Sequence, residues 1–151
     1  MKKNLKQQLF SLCQQYIEQR ISNALNAINT AKESANSDSK SSAGDKHETG
    51  RAMAQLEQEK SSIQLSETFE LQKILQKIDP DKSSATIQNG SIVITNKGNF
   101  FISIPAGKLQ FENKIYFAIS MGSPFGLKIK NLSKNMQFDF NDQHYEIEDV
   151  F

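Results

Sequence analysis

The sequence predicts an α+β protein, with an N-terminal antiparallel α-helical coiled-coil hairpin followed by a small antiparallel β domain that carries one short helix. Three observations predict it. Composition breaks at Asp79-Pro80-Asp81: all three prolines and eight of the ten phenylalanines lie at or beyond it, and a stretch rich in Gln, Glu, Lys, Ala and Leu precedes it. Before the break, apolar residues recur at helical spacing; after it they alternate in short runs. The expected organisation is a hairpin over 1–79, with its tip at about 36–48, and a β-rich domain over 80–151.

The first helix shows itself in Ile17, Ile21, Ala24, Ile28, Ala31 and Ala35, whose spacings of 4, 3, 4, 3 and 4 draw one stripe. Leu5, Leu9, Leu12 and Tyr16 continue the rhythm upstream with a small offset. The second helix is less regular. Met53, Leu56, Ile63, Leu71, Ile74 and Ile78 form its expected seam, with Lys60 and Glu67 filling intervening positions. Between the two, Asn36 to Asp45 is dense in Ser, Asp, Asn and Gly, which compete with helical hydrogen bonding and bend the chain. Two helices joined by a short polar connection pack most simply as a hairpin. Proline disfavours a helical predecessor, so the second helix should stop near Asp79. Arms of roughly 32 residues would each be about 48 Å long.

Beyond Pro80 the alternating sets are Ile92 and Ile94; Phe100, Ile102 and Ile104; Ile115, Phe117 and Ile119; Met136, Phe138 and Phe140; and Tyr145 and Ile147. They read as strands with one buried face, and alternation assigns at least one of Phe100 and Phe101 to the core. Asn89-Gly90, Asn96-Lys97-Gly98, Ala106-Gly107, Glu112-Asn113 and Asn141-Asp142 supply turns. Ser123 to Leu132 breaks the alternation and fits a short helix over one sheet face.

Eighteen basic against seventeen acidic side chains give a net charge of +1, without the basic excess of a protein that binds nucleic acid by itself. Any nucleic-acid role should run through a protein partner or a local patch such as Lys128, Lys130 and Lys134, whose plain reading is a solvated rim. The single cysteine, Cys13, has no intramolecular partner, and His47 and His144 are too far apart to show zinc-ligand spacing. No apolar run approaches the ~20 residues of a membrane helix, and Met1 to Phe10 is too polar for a signal peptide. A cytoplasmic protein with no membrane partner is expected.

At the start of the second helix stands Gly44-Asp45-Lys46-His47-Glu48. Acids three residues apart at a helix start share one face. Asp45 and Glu48 fit an N-cap with its N3 partner, satisfying free amides at the helix start. A carboxylate has more than one acceptor site, so capping leaves room for a second contact.

With these residues in this order, the chain resembles the Gre family of bacterial transcript-cleavage factors over nearly its whole length. The tip is similar to the Gre pattern of Gly-Asp, two variable residues and Glu. Ile119-Ser120-Met121-Gly122-Ser123-Pro124-Phe125-Gly126 is similar to the Gre segment containing Ser-Pro, which a short helix and two closing strands follow. The resemblance implies an FKBP-like β domain and a hairpin that enters the secondary channel of RNA polymerase. Asp45 and Glu48 would there help hold a second Mg²⁺ and position water for hydrolysis of backtracked RNA, whose 3′ end the factor meets only indirectly. Ser123, Pro124 and Phe125 would grip the polymerase's rim helices; their structural alternative is a turn into a short helix. The expected protein is an accessory factor rather than an enzyme, a monomer with no tightly bound cofactor. Where Gre factors continue Asn-Ala-Glu-Tyr, this chain reads Thr49-Gly50-Arg51-Ala52-Met53, which loosens the helix start and removes a bracing aromatic. A non-cleaving relative that occupies the channel, and a coiled-coil adaptor, are the alternatives. A peptidyl-prolyl isomerase rests on fold kinship alone, and the chain has no Trp to floor such a pocket.

Overall fold

The computed structural model describes residues 2–38 and 44–151; residues 39–43, and the side chains of 37, 38 and 44–48, lie outside the described residues. The fold is α+β. Two long helices, α1 (Lys2–Asp38) and α2 (Gly44–Gln76), are followed by β1 (Ile92–Thr95), β2 (Gly98–Ile102), β3 (Gly107–Phe111), β4 (Lys114–Ile119), α3 (Pro124–Ile129), β5 (Gln137–Phe140) and β6 (Gln143–Val150). The chain divides into two compact units, Ile17–Gln72 on the one hand and Met1–Tyr16 with Lys73–Phe151 on the other.

Within Ile17–Gln72, the α1 stripe is the one that helical spacing predicts. Ile17, Ala24 and Ala31 are buried, and Ile21, Ile28 and Ala35 are half-buried. Helix α2 departs from expectation. Up to Gln72 its buried positions are Ala54, Ser61 and Thr68, seven residues apart, with Gln58, Leu65 and the expected seam residue Leu71 half-buried; Leu75 further on is buried too. The expected seam residues Met53, Leu56 and Ile63 are 66%, 65% and 59% exposed, and Lys60 and Glu67 also face solvent. Asn26, Ala27, Thr30, Ala31 and Ser34 of α1 line the same groove as Gly50, Met53, Ala54 and Glu57 of α2, so the late part of one helix lies beside the early part of the other. A shift of one residue turns a helix face by about 100°. Small side chains admit the closest approach of two helices, so the seam takes Ala, Ser and Thr and leaves the bulkier residues outside. The buried Thr68 hydroxyl donates to the Gln64 carbonyl at 2.7 Å, which satisfies it within its own helix. Replacing Ser61 with Leu is expected to overpack this seam and to destabilise the helical signal by about 1–3 kcal/mol. In thermal melts followed by circular dichroism, Ile63→Gln should stay within about 0.5 kcal/mol. The opposite ranking would restore the seam expected from sequence.

In the second unit, the six strands form one sheet in the order β3-β4-β2-β1-β6-β5. The sheet is mixed, which corrects the wholly antiparallel expectation: β2 and β4 run parallel, with Phe101 opposite Ala118 and Ile102 opposite Ile119. A parallel neighbour requires a crossover, and the chain makes it through β3, which pairs back antiparallel onto the outer side of β4. Strand β3 is absent from the sequence reading because it is an edge strand, with Leu109 buried and Phe111 half-buried among exposed neighbours. Four β-turns coincide with those read from sequence, among them Asn89-Gly90, which the bond from Ser91 N to Gln88 O closes. Glu112-Asn113 and Asn141-Asp142 take positive φ at both positions, as two-residue hairpin turns require, and Asn96-Lys97 connects β1 to β2.

Both faces of the sheet are covered, so alternation alone misplaces part of the core. One face gathers Val93, Ile102, Ile147 and Val150 with Ile87, Ile129 and Phe138. The other carries Ile92, Phe101, Leu109, Tyr116 and Ala118, all buried, so in β4 it is this face rather than the Ile115 face that is most enclosed; Ile115 is exposed. The first turns of α1 belong to this unit, where Leu9 and Cys13 are fully buried and Cys13 Sγ lies 3.6 Å from Ser103 Oγ. Helix α2 ends at Gln76, and the chain turns through bonds from Lys77 N to Ile74 O and from Ile78 N to Leu75 O. Asp79 Oδ1 then accepts from Asp81 N at 2.9 Å. Gly90, at φ +92°, lies under Ile78: a Cβ there would come within 2.9 Å of Ile78 Cγ2.

Burial pushes the Cys13 thiol up to about 11, against the weaker opposing effect of its bond to Ser103. Only the thiolate reacts, so ionisation alone should slow labelling of native protein by a thiol reagent about 100-fold at pH 8 relative to unfolded chain. Rapid native labelling would show that α1 does not cover the sheet at Ser103.

Candidate functional site

The acidic motif falls at the start of α2. The helix begins at Gly44, so the backbones of Asp45 and Glu48 belong to its opening turns, three positions apart and therefore on one side of the helix. Their side chains, like those of Lys46 and His47, lie outside the described residues. Downstream, Gly50 is half-buried in the groove that it shares with Ala27, Ala31 and Ala54, which gives this glycine a packing role beside its weak helix propensity.

The Ser-Pro segment is described in full. Ser123 caps α3: its Oγ accepts from Gly126 N at 3.0 Å and donates to Ser120 O at 2.8 Å. Pro124 follows at the first helical position, where a missing N–H costs nothing. A Cβ on Gly126 would collide with the Ser120 carbonyl oxygen and sit 2.7 Å from the Met121 carbonyl oxygen, so the cap requires glycine there. Phe125 turns toward the sheet and becomes the hub of an aromatic cluster. Its ring centroid lies 4.7 Å from Phe100, 5.2 Å from Phe140, 5.5 Å from Tyr145 and 5.7 Å from Phe138. The cap and the cluster thus account for Ser123 and Phe125 by packing, and the side chains α3 presents to solvent are Pro124, Leu127 and Lys128. Leu127 was not singled out in the sequence; a single leucine in a six-residue helix carries no periodicity to reveal its outward face.

Lys128, Lys130 and Lys134 are all exposed. His144 Nδ1 lies 2.7 Å from Asp139 Oδ1 across the β5–β6 hairpin, an exposed pair on a strand end. Among the described residues, no three His, Cys, Asp or Glu side chains converge as ligands for a metal ion, and no helix is long and apolar enough to cross a membrane. The outward stripe of Met53, Leu56 and Ile63 is an apolar surface whose residues the sequence reading assigned to the seam. No family model, no curated protein and no solved structure matches the chain.

Proposed function

We propose that the chain is a Gre-type transcription elongation factor acting in the cytoplasm, which binds RNA polymerase and stimulates the polymerase's own cleavage of backtracked RNA. The observation that carries the reading is the start of α2 at Gly44, which puts Asp45 and Glu48 in the opening turns of the second of two helices, of 37 and 33 residues. In this reading, the unit Ile17–Gln72 is an antiparallel coiled-coil hairpin, and the six-stranded mixed sheet with its capped short helix is FKBP-like. The hairpin end enters the secondary channel. Two carboxylates are too few to hold Mg²⁺ alone, so the ion is shared with the polymerase, which supplies the remaining oxygen ligands. An added metal ion then activates the attacking water and stabilises charge in the displacement. Pro124 and Leu127, exposed on α3, are the residues left to meet the rim helices.

The test is a polymerase pull-down followed by transcript cleavage on stalled elongation complexes. Capture together with faster cleavage supports the reading; capture without cleavage leaves a factor that only occupies the channel, and no capture removes both. A coiled-coil adaptor is favoured separately by the outward stripe of Met53, Leu56 and Ile63. An adaptor would lose its partner when these three become Gln and would tolerate loss of the two acids, the reverse of what the cleavage factor requires.

A further inference from the structure

Helix α1 opens against the usual electrostatic preference. Its first turn holds no acid, and Lys2, Lys3 and Lys6 stand at the end where free backbone amides already carry partial positive charge. All three line, with Lys82, a single cavity of about 460 Å³, whose wall also includes Ser83 and Ser84; the Ser84 hydroxyl accepts from Thr86 N at 3.3 Å. That volume lies within the range of small-ligand pockets. One side-chain carboxylate, Asp81, lines the cavity with these four lysines. Asp81 is itself engaged, accepting from Gln7 Nε2 at 2.7 Å and lying 3.9 Å from Lys3 Nζ. Lys2 is paired with Asp149 at 3.0 Å and sits 4.9 Å over the Phe151 ring.

Lys6 is the unusual member. It is only 5% exposed, and its ammonium donates to the Lys82 carbonyl. Burial holds its pKa down, and the nearby Asp79 acts in the opposite direction. An ammonium has three donors, so this carbonyl uses one of them. Burying a cation that is not fully paired is unfavourable, and gathering like charges at a positive helix end adds to that cost. A single change of occupancy offsets both: an anion in the cavity.

We propose that this cavity binds a small phosphate-bearing anion, held by Lys3, Lys6 and Lys82 with Ser83 beside them. A phosphate offers several acceptors and up to two charges, which matches a ring of point-charge donors better than a single carboxylate does. Pro80, Val150 and Phe151 form an apolar wall that leaves room for an organic body beside the phosphate.

The test uses the isotopically labelled full chain, titrated with inorganic pyrophosphate at constant ionic strength and followed by amide chemical shifts. Saturable shifts confined to Lys2–Lys6 and Asp81–Ala85 are expected. The variant K3Q/K82Q, altered at exposed lysines, should keep the native spectrum and bind at least about tenfold more weakly, because each lost charge-assisted bond removes a strong contact. K128Q/K130Q, altered elsewhere on the same unit, should bind as the unaltered chain does. The proposal is overturned if pyrophosphate gives no saturable shift, if sodium chloride reproduces the shifts, or if K3Q/K82Q binds with undiminished affinity. In each of those cases Lys6 serves only to tie α1 to the Asp79–Lys82 turn.

Discussion

Replacing Asp45 with Asn and Glu48 with Gln is expected to reduce transcript cleavage on backtracked complexes about 100-fold, the scale on which loss of metal-orienting groups acts. The substitutions keep size and hydrogen-bonding capacity but remove both charges, so they separate the two roles of the motif. If the acids hold Mg²⁺ together with the polymerase, cleavage is lost while polymerase capture and the helical melt stay unchanged. If they only cap α2, cleavage is kept, and the melt stays within about 0.5 kcal/mol because Asn caps a helix nearly as well as Asp. Full cleavage by the double variant would remove the metal-holding role outright.

The largest stability effect is expected at Phe101. The ring is fully buried, opposite Ile92 on β1 and Ala118 on β4, on the sheet face of the unit that includes Leu9 and Cys13 of α1. Truncation to Ala leaves a cavity lined by β-strands that cannot collapse without breaking the sheet. Its cost should reach about 3–5 kcal/mol, a large part of the ~5–15 kcal/mol that holds an ordinary domain together. Urea unfolding would show it as a lower midpoint with little change in slope. Ile115→Ala, on the face that sequence alternation marks as buried, should cost within about 0.5 kcal/mol, because that side chain is exposed. A larger loss at Ile115 than at Phe101 would mean that the sheet presents its other face to α1.

The two helices were legible because period and length reinforce each other: six apolar positions over Ile17 to Ala35 admit no strand reading. The turns were legible for a local reason. Asn and Gly supply the positive φ that tight connections need, and Glu112-Asn113 and Asn141-Asp142 sit where the chain reverses. The seam was legible at Leu71 and Ile78, half-buried and buried, but not in the earlier part of α2. Met53, Leu56 and Ile63 have the spacing of a core stripe, yet the close approach of α1 selected Ala54, Ser61 and Thr68. Hydrophobicity and proximity gave opposite answers, and proximity prevailed. Phe125 shows the same limit: the resemblance placed it among residues that meet a partner, and in the structure its ring packs into the aromatic cluster with Phe100 and Phe140. The lysine cavity had no sequence signal, because Lys82 is 76 residues from Lys6.

By itself, the sequence determined the class of the fold, the positions of both long helices, the short helix after Ser123 and most of the strands, since each follows from local period and local turn chemistry. Tertiary structure decided which face of α2 is buried, that β2 and β4 run parallel, that both sheet faces are covered, and that the opening lysines of α1 meet the Asp79–Lys82 turn. Those outcomes depend on which surfaces come together across tens of residues, and a pattern confined to neighbouring positions carries no record of that choice.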